Sequence, residues 1–393
     1  STRRIERTKA AAAAFATALL SLNAPSQIEA PELVDMGNGF ILEQGVFGIL
    51  PDPVVAAPGI CINGDTTGGA NQTLNSLTAS ESGYTAIWSD SRDGNLGLYL
   101  GILPKGVDQA DDGIPIHLPR ASRQVRPSIA QFSNPTGGIG GAVVWTALSG
   151  KGASATLRLF DERAPKEDIF TSGPIPMGAV ASSTTSQVAP VEGGTGLAAW
   201  IRGDAVTALT LTHNAQTGKT RTGEAFTLVE SIAGAKGNFL MALNDRGKVL
   251  VTWNSNGEMH AQVSVLVDPD RRKSTQLGQG KVIEIVPDRS GEGAGWWVLA
   301  EVGAATGLVH LNEAGKADRE MITISKQPLK SVDLTTWAGG TGLAVLVESE
   351  LDVPDPRSRN GSVVLHVMNS AGIRLTPATG VDVLDSDAVD ARD

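Results

Sequence analysis

The chain of 393 residues contains a single cysteine, two tyrosines and five histidines. Cys61 has no second cysteine with which to form an intramolecular disulfide, and it lacks the partners of a zinc site built on paired cysteines. Basic residues are also outnumbered, since 32 Lys and Arg stand against 42 Asp and Glu, for a net charge of −10. Nucleic-acid binders normally carry a basic patch. The composition therefore excludes a disulfide framework and makes nucleic acid an unexpected partner.

Long apolar runs are absent after the N-terminal segment. Residues 10–22 form an apolar run that follows four basic residues, Arg3, Arg4, Arg7 and Lys9. This order is typical of a signal peptide, and the run is shorter than the roughly 20 residues that span a bilayer. We expect residues 1–30 to be an export signal, which predicts a periplasmic, outer-surface or extracellular protein. A retained helix docked on a partner and a membrane-surface anchor are the alternatives. Membrane contact is expected only through this segment, if it is retained.

Glycine and proline are plentiful, with 46 and 20 residues, and tryptophan marks an internal repeat. Short apolar runs contain Trp88, Trp145, Trp200, Trp253 and Trp297, and a sixth run has Leu346 in the same place. The markers are 44 to 57 residues apart, which is the length of a four-stranded propeller blade. Such nearly continuous apolar strands are covered on both faces, so the tryptophans are expected between blades.

Alternating runs before and after each marker supply the other strands of each unit, and sustained helical periodicity is missing from Gln44 onward. The sequence predicts an all-β protein: a β-propeller of about six four-stranded blades over residues 31–380. An N-terminal helical or signal segment, residues 1–30, precedes it, and an acidic tail, residues 381–393, follows. Residues 39–43 or 46–50 are expected to close the ring by pairing into the blade of Leu346.

The hairpin at residues 83–99 is the most distinctive segment. Its first strand ends in Trp88, the turn reads Ser-Asp-Ser-Arg-Asp-Gly-Asn, and the second strand carries Tyr99. It resembles a repeat common in exported bacterial β-propeller proteins, in which an apolar strand ends in Trp, an Asp and an Arg follow, a Gly-Asn turn reverses the chain and the next strand carries Tyr. The close match covers one of the six units. The resemblance implies the propeller fold and an exported location, and it implies no reaction.

Candidate ligand-binding residues come from this turn. Asp90, Arg92 and Asp93 could hold a ligand or calcium, but the same residue types form turns in which the carboxylates cap backbone groups and pair with the arginine. We favour the structural role. His310 and His366 are predicted on opposite faces of their strands, so no shared histidine site is expected. No metal and no cofactor are predicted.

Catalytic motifs are missing: the sequence has no Gly-Xaa-Ser-Xaa-Gly elbow, phosphate loop or His-Glu-Xaa-Xaa-His. We therefore expect a noncatalytic binding or assembly module of the bacterial cell envelope or exterior, with a protein or glycan partner. A propeller hydrolase acting on a glycan or lactone at the channel mouth is one alternative, and a structural subunit of a larger envelope complex is another. Carboxylates or a metal at the mouth would favour the hydrolase, whereas an apolar patch on a rim or side would favour a partner.

Overall fold

The structure is a computed structural model that describes most of the chain between Gln72 and Ser325 and shorter pieces on either side. The described residues are 34–35, 40–43, 46–49, 72–80, 83–92, 96–104, 113–117, 123–133, 139–191, 194–214, 217, 219–235, 237–266, 268–288, 295–326, 331–337, 342–349, 362–369, 372–373 and 381–382.

Six four-stranded antiparallel sheets follow one another along the chain, and each is built of consecutive strands. Blade one has β4 (Gln72–Ser80), β5 (Gly83–Asp90), β6 (Gly97–Pro104) and β7 (Ile114–Pro115). Blade two has β8 (Arg123–Ser133), β9 (Ile139–Ser149), β10 (Gly152–Asp161) and β11 (Ile175–Val180). Blade three has β12 (Ser186–Val191), β13 (Thr195–Arg202), β14 (Ala205–Asn214) and β15 (Lys219–Val229).

The second half of the chain repeats this pattern. Blade four has β16 (Leu240–Leu243), β17 (Lys248–Ser255), β18 (Glu258–Val265) and β19 (Asp268–Gln279). Blade five has β20 (Lys281–Pro287), β21 (Trp296–Val302), β22 (Ala305–Leu311) and β23 (Ile322–Ser325). The sixth sheet has β24 (Ser331–Trp337), β25 (Gly342–Ser349), β26 (Ser362–Asn369) and β27 (Val381–Asp382).

The sheets are arranged as propeller blades, because the first strand of each lies against the first strand of the next. These contacts run from β4 to β8, then to β12, β16, β20 and β24. Tight turns join the middle strands: Asn256 and Gly257 both have positive φ, 52° and 81°, as a two-residue hairpin turn requires. An all-β propeller of four-stranded blades is therefore confirmed. Five blades of four strands lie between Gln72 and Ser325. The sixth blade of the prediction would be the sheet β24–β27, and its place in the ring stays a prediction.

The strands before residue 50 form a sheet of their own. β1 (Val34–Asp35), β2 (Phe40–Glu43) and β3 (Val46–Ile49) pair in the order β1-β2-β3. The prediction that residues 39–43 or 46–50 pair into the blade of Leu346 is wrong among the described strands. That sheet obtains its fourth strand from the chain after β26, because Val381 pairs with Leu365 and Asp382 with Val364. These two residues are the first of the segment predicted as an acidic tail.

The marker residues all lie on the second strand of their sheets. Trp145, Trp200 and Trp253 pack against the preceding blade. Trp297 does not share this position, because its neighbour Trp296 packs on blade four while Trp297 packs on the sixth sheet. Successive strand residues point to opposite faces, so Trp296 and Trp297 pack into two different junctions. The prediction that Trp297 takes the same position as the other marker tryptophans is therefore wrong.

Apolar clusters between neighbouring blades form the core, and the chain from Gln72 to Ser325 supplies four of these junctions. The largest fully buried side chains are Trp88, Trp145, Trp296, Trp297, Phe132, Phe160, Ile87, Leu98, Leu100, Ile116 and Leu157. Among the residues that the structure describes, no helix has the length and apolar character needed to cross a membrane.

Candidate functional site

The predicted ligand residues Asp90 and Arg92 lie together at the end of β5. The Asp90 carboxylate is buried and accepts hydrogen bonds from the Arg92 backbone N–H at 2.8 Å and from Arg92 Nε at 2.7 Å. The Trp88 indole N–H points at the same carboxylate, 3.4 Å away. The arginine also lies over the Tyr99 ring, with 4.6 Å between the guanidinium carbon and the ring centroid.

These contacts are those of a capped turn whose carboxylate serves the backbone and the neighbouring arginine. They agree with the structural role favoured for the pair, and they leave ligand binding by Asp90 and Arg92 a prediction. Asp93 lies outside the described residues.

The same Asp-Xaa-Arg arrangement occurs a second time, at the end of β10. Asp161 accepts a hydrogen bond from the Arg163 backbone N–H at 3.0 Å and forms an ion pair with the Arg163 Nε at 3.4 Å. One turn follows the second strand of its blade and the other follows the third strand. The recurrence at a different kind of strand end indicates that the motif stabilises turns.

His310 is held between two carboxylates at one end of blade five. Its Nδ1 lies 2.6 Å from Asp318 and its Nε2 lies 3.1 Å from Asp288, and both His310 and Asp288 are buried. Burial lowers the pKa of His310, but the hydrogen bonds and charges of the two carboxylates outweigh burial and place the pKa above its ordinary value. Each ring nitrogen is occupied inside the protein, so this histidine has a structural role.

His213 has the opposite electrostatics. Burial lowers its pKa, the charge of Asp161 opposes that shift and the charge of Arg163 adds to it. Within the described part of the chain, no group of three or more His, Cys, Asp or Glu side chains has the geometry of a metal site.

A cleft of about 200 Å³ opens at the outer side of the propeller, between blades four and five. Met259, Val298 and Ala300 form its buried floor. Its mouth is formed by half-buried or exposed residues of both blades: Thr275, Gln276, Leu277, Val309, Lys316 and Ala317. The floor is apolar and the mouth has three polar and three apolar residues, as in sites that bind an apolar group with a few polar contacts.

The cleft lies at a strand position that a tryptophan occupies in the two preceding junctions. Trp200 and Trp253 each stand two residues before the end of their strand, and the residue at this place in β21 is Ala300. Trp200 packs against Ile175 and Met177 of the outer strand of blade two. In blade five the corresponding tryptophan, Trp296, stands four residues earlier in the strand. The outer half of the junction is left with a methyl group where its neighbours have an indole.

A short outer strand in blade five keeps the cleft open. β23 has four residues and pairs only with residues 306–308 of β22. Val309, the next residue of β22, is therefore not covered by the outer strand. On the other side of the cleft, the outer strand of blade four has a β-bulge at Leu277, where its pairing with β18 shifts between Met259 and His260.

Two lysines lie at one end of the cleft. Lys316 lines it directly, and the preceding turn residue, Gly315, lies so close to blade four that an added Cβ would be 2.9 Å from Val263. Lys273 pairs with Val263 in the β18–β19 ladder, and it is two residues from Thr275 on the same face. Both lysines are exposed, and neither forms an ion pair with any residue in the described part of the chain.

Sequence reasoning missed the cleft and these lysines. A detectable signal was the absence of Trp three residues before the first turn residue, Gly303, because the two preceding units have Trp at that place. The aromatic doublet at residues 296–297 concealed this absence, since it supplied a marker at almost the expected spacing.

No protein-family model matches this chain. No curated protein matches it either. Among solved structures, a NanB sialidase from Streptococcus pneumoniae is similar with a TM-score of 0.49 and 10% identity, over 79% of this chain and 70% of that one. The Dos1 propeller gives 0.45 and 11% over 69% and 65%. A prolyl endopeptidase gives 0.47 and 9% over 76% of this chain, which spans 41% of the endopeptidase. Likeness at these identities concerns the fold and says nothing of a shared activity.

Proposed function

We propose that this protein is a noncatalytic binding module that takes an aromatic side chain of a protein partner into the cleft between blades four and five. The observation that carries the proposal is an open cleft beside Ala300, at the strand position that a tryptophan occupies in the two preceding blades. The partner's side chain would occupy the space that Trp200 and Trp253 fill in the two preceding junctions.

The size and chemistry of the cleft support an aromatic guest. A cavity of about 150 Å³ lined by apolar side chains accepts benzene, and this cleft measures about 200 Å³. Its lining includes the thioether of Met259, and sulfur makes favourable contacts with aromatic rings. Buried aromatic anchors in well-packed pockets supply most of the free energy of many protein interfaces. One such anchor is therefore enough to define a binding site.

The test uses N-acetyl-tryptophan amide as the probe. Labelling the six methionine methyl groups with carbon-13 gives a separate NMR signal for Met259 in the cleft and for Met368 in another core cluster. Titration should shift the Met259 signal with a Kd of about 1 mM, since a small ligand buries few atoms. The Met368 signal should stay in place.

Ala300→Trp is the decisive variant, because its own indole would fill the cleft. It should abolish the Met259 shift, while Ala233→Trp, at an exposed alanine between blades three and four, should leave the shift unchanged. A wild-type protein without a shift at about 10 mM probe, or a shift that persists in Ala300→Trp, would overturn the proposal. Release of chromophore from p-nitrophenyl glycosides or a chromogenic lactone would contradict its noncatalytic part.

The proposal includes an exported location and, with it, a role in an assembly of the bacterial envelope or exterior. It rests on the basic and apolar order of residues 3–22 and on the resemblance of the hairpin at residues 83–99. Mass spectrometry of the mature N-terminus in the native host tests it: a start near Pro31 supports export. A mature protein that begins at Ser1 would contradict the export signal.

We also propose that the sixth sheet completes a ring of six blades. The Trp88 face of blade one points away from blade two, and the sixth sheet already has four strands. Deleting residues 331–393 should therefore expose apolar blade faces and cause aggregation, whereas deleting residues 1–55 should leave a soluble protein. If the protein without residues 1–55 aggregates and the protein without residues 331–393 stays soluble, closure of the ring by the sixth sheet is contradicted.

A further inference from the structure

The outer strand of blade four, β19, has one unpaired edge among the described strands. β19 is twelve residues long, pairs with β18 on one side and is the last strand of its sheet. The unpaired edge of such a strand presents backbone N–H and C=O groups that can pair with an added strand. Three residues of this strand, Thr275, Gln276 and Leu277, form part of the cleft mouth.

The two faces of β19 have different surroundings. Arg272 faces blade three, where its guanidinium donates to Glu230 at 2.8 Å and to the Thr227 carbonyl at 2.9 Å. Lys273 and Thr275 face blade five, because they pair with Val263 and Ala261, which belong to the apolar cluster between blades four and five. A strand added to this edge would therefore direct every second side chain toward the cleft.

The lysines add a preference of charge. Lys273 on the strand and Lys316 on the facing turn carry two positive charges at the same end of an apolar cleft, in a protein with a net charge of −10. A carboxylate placed there would complement both ammonium groups.

We propose, resting on the function proposed above, that the partner segment is an extended strand that adds to the open edge of β19, with an aromatic residue in the cleft and a carboxylate two residues away at Lys273 and Lys316. The spacing follows from strand geometry. Side chains opposite Lys273 and Thr275 lie on one face of the added strand and are separated by one residue of the opposite face.

The probe is a set of fluorescein-labelled heptapeptides with Trp at the centre and Thr elsewhere. In each peptide a single Asp replaces one of the six Thr residues, so that all six positions are tested. Fluorescence anisotropy measures each Kd. Affinity should be highest with Asp two residues from Trp, on the side set by strand direction, and about fivefold lower with Asp adjacent to Trp. Peptides in which the central Trp is replaced by Ser should not bind.

Lys273→Gln should remove the positional preference and weaken the best peptide about fivefold, and the loss should shrink in high salt. Lys219→Gln, at an exposed lysine on the outer strand of blade three, is the matched control and should change nothing. N-methylation of alternate peptide residues should abolish binding in one set and spare the other, because only every second N–H of an added strand faces β19.

The outcomes separate this inference from the function on which it rests. Binding that needs the central Trp and is lost in Ala300→Trp, but is indifferent to the position of Asp and to N-methylation, overturns strand addition and leaves the aromatic site intact. Peptide binding that survives Ala300→Trp overturns both.

Discussion

The junction between blades two and three and the junction between blades four and five have the same strand arrangement and different fillings. In the first, the Trp200 indole lies against the outer strand of blade two, so close to Gly178 that an added Cβ would be 3.3 Å from its nitrogen. In the second, Ala300 takes the same place and a cleft remains. At this strand position the first junction has an indole, and the second has a methyl group beside an open cleft.

The difference also teaches how a repeat protein can acquire a site without a new motif. Each blade junction has the same space to fill between two sheets, and one large side chain fills the outer part of that space. Moving that side chain four residues along the strand, as Trp296 is moved, keeps the inner junction packed and opens the outer part. The apolar character needed for binding is then already present.

Trp200→Ala should have the largest effect, because it would create in a closed junction the space that the other junction has by nature. Trp200 is 2% exposed, and removing a buried aromatic side chain costs about 3–5 kcal/mol. Chemical denaturation measures the loss. Val302→Ala, at a residue 37% exposed, is the control and should lose less than about 0.5 kcal/mol. A loss under about 1 kcal/mol for Trp200→Ala would mean that the junctions tolerate open clefts generally.

Ala300→Trp tests the comparison from the other side. Because the cleft provides the space, the free energy of unfolding should change by no more than about 1 kcal/mol. Ala199→Trp, at a fully buried alanine of the closed core between blades three and four, should lose more than about 3 kcal/mol through overpacking. Equal losses of unfolding free energy for the two variants would show that the cleft between blades four and five is too small for an indole.

How far the sequence predicts this molecule depends on which physical signal each feature leaves. The blades were predictable because continuous apolar strands recur with a spacing set by four strands, and each marker residue does lie on a second strand. The doublet Trp296 and Trp297 was ambiguous, since adjacent strand residues face opposite ways and either could align with Trp253. The prediction of how the ring closes was wrong because strand pairing is decided by contacts far apart in sequence, and residues 40–43 pair with residues 46–49 instead.

The site left a weaker signal than the fold. Asp90 and Arg92 stood out because their residue types are those of ligands, yet in the structure they bond to each other. The cleft consists mostly of ordinary aliphatic residues, which come from four strands and a loop, and their proximity depends on how two blades pack. Only the unusual alanine at residue 300 could be found by counting back from the turn at Gly303, and doing so requires knowing where the strand ends.

Two buried histidines should give opposite pH dependences. The pKa of His310 is raised on folding, so its contribution to stability is present below the unfolded value of about 6.5 and is lost as pH rises through the folded pKa. The pKa of His213 is lowered, so its contribution is present above the unfolded value and is lost as pH falls. Melting temperatures measured from pH 5 to 9 test this. His310→Gln should flatten the alkaline limb of the curve of melting temperature against pH, and His213→Gln should flatten the acid limb. The same limb flattened by both variants would contradict these assignments.

The smallest effect is expected from an ion pair that spans the junction between blades four and five at the turns joining their strands. Glu313 of blade five lies between Arg246 and Lys248 of blade four, and hydrogen bonding from Lys248 is the main cause that lowers the Glu313 pKa. Because the folded pKa is depressed, this contribution is present above the unfolded pKa of glutamate and fades as pH falls through the folded value.

Glu313→Gln should lower the free energy of unfolding by up to about 1 kcal/mol in low salt, since the three side chains are partly solvated. The loss should shrink in about 1 M salt, where charges are screened within about 3 Å. Binding of the Trp-centred peptides should be unchanged, because Glu313 is not among the residues that line the cleft. A loss that persists in high salt, or a weakened peptide, would show that this ion pair sets the spacing of the two blades and thereby the width of the cleft.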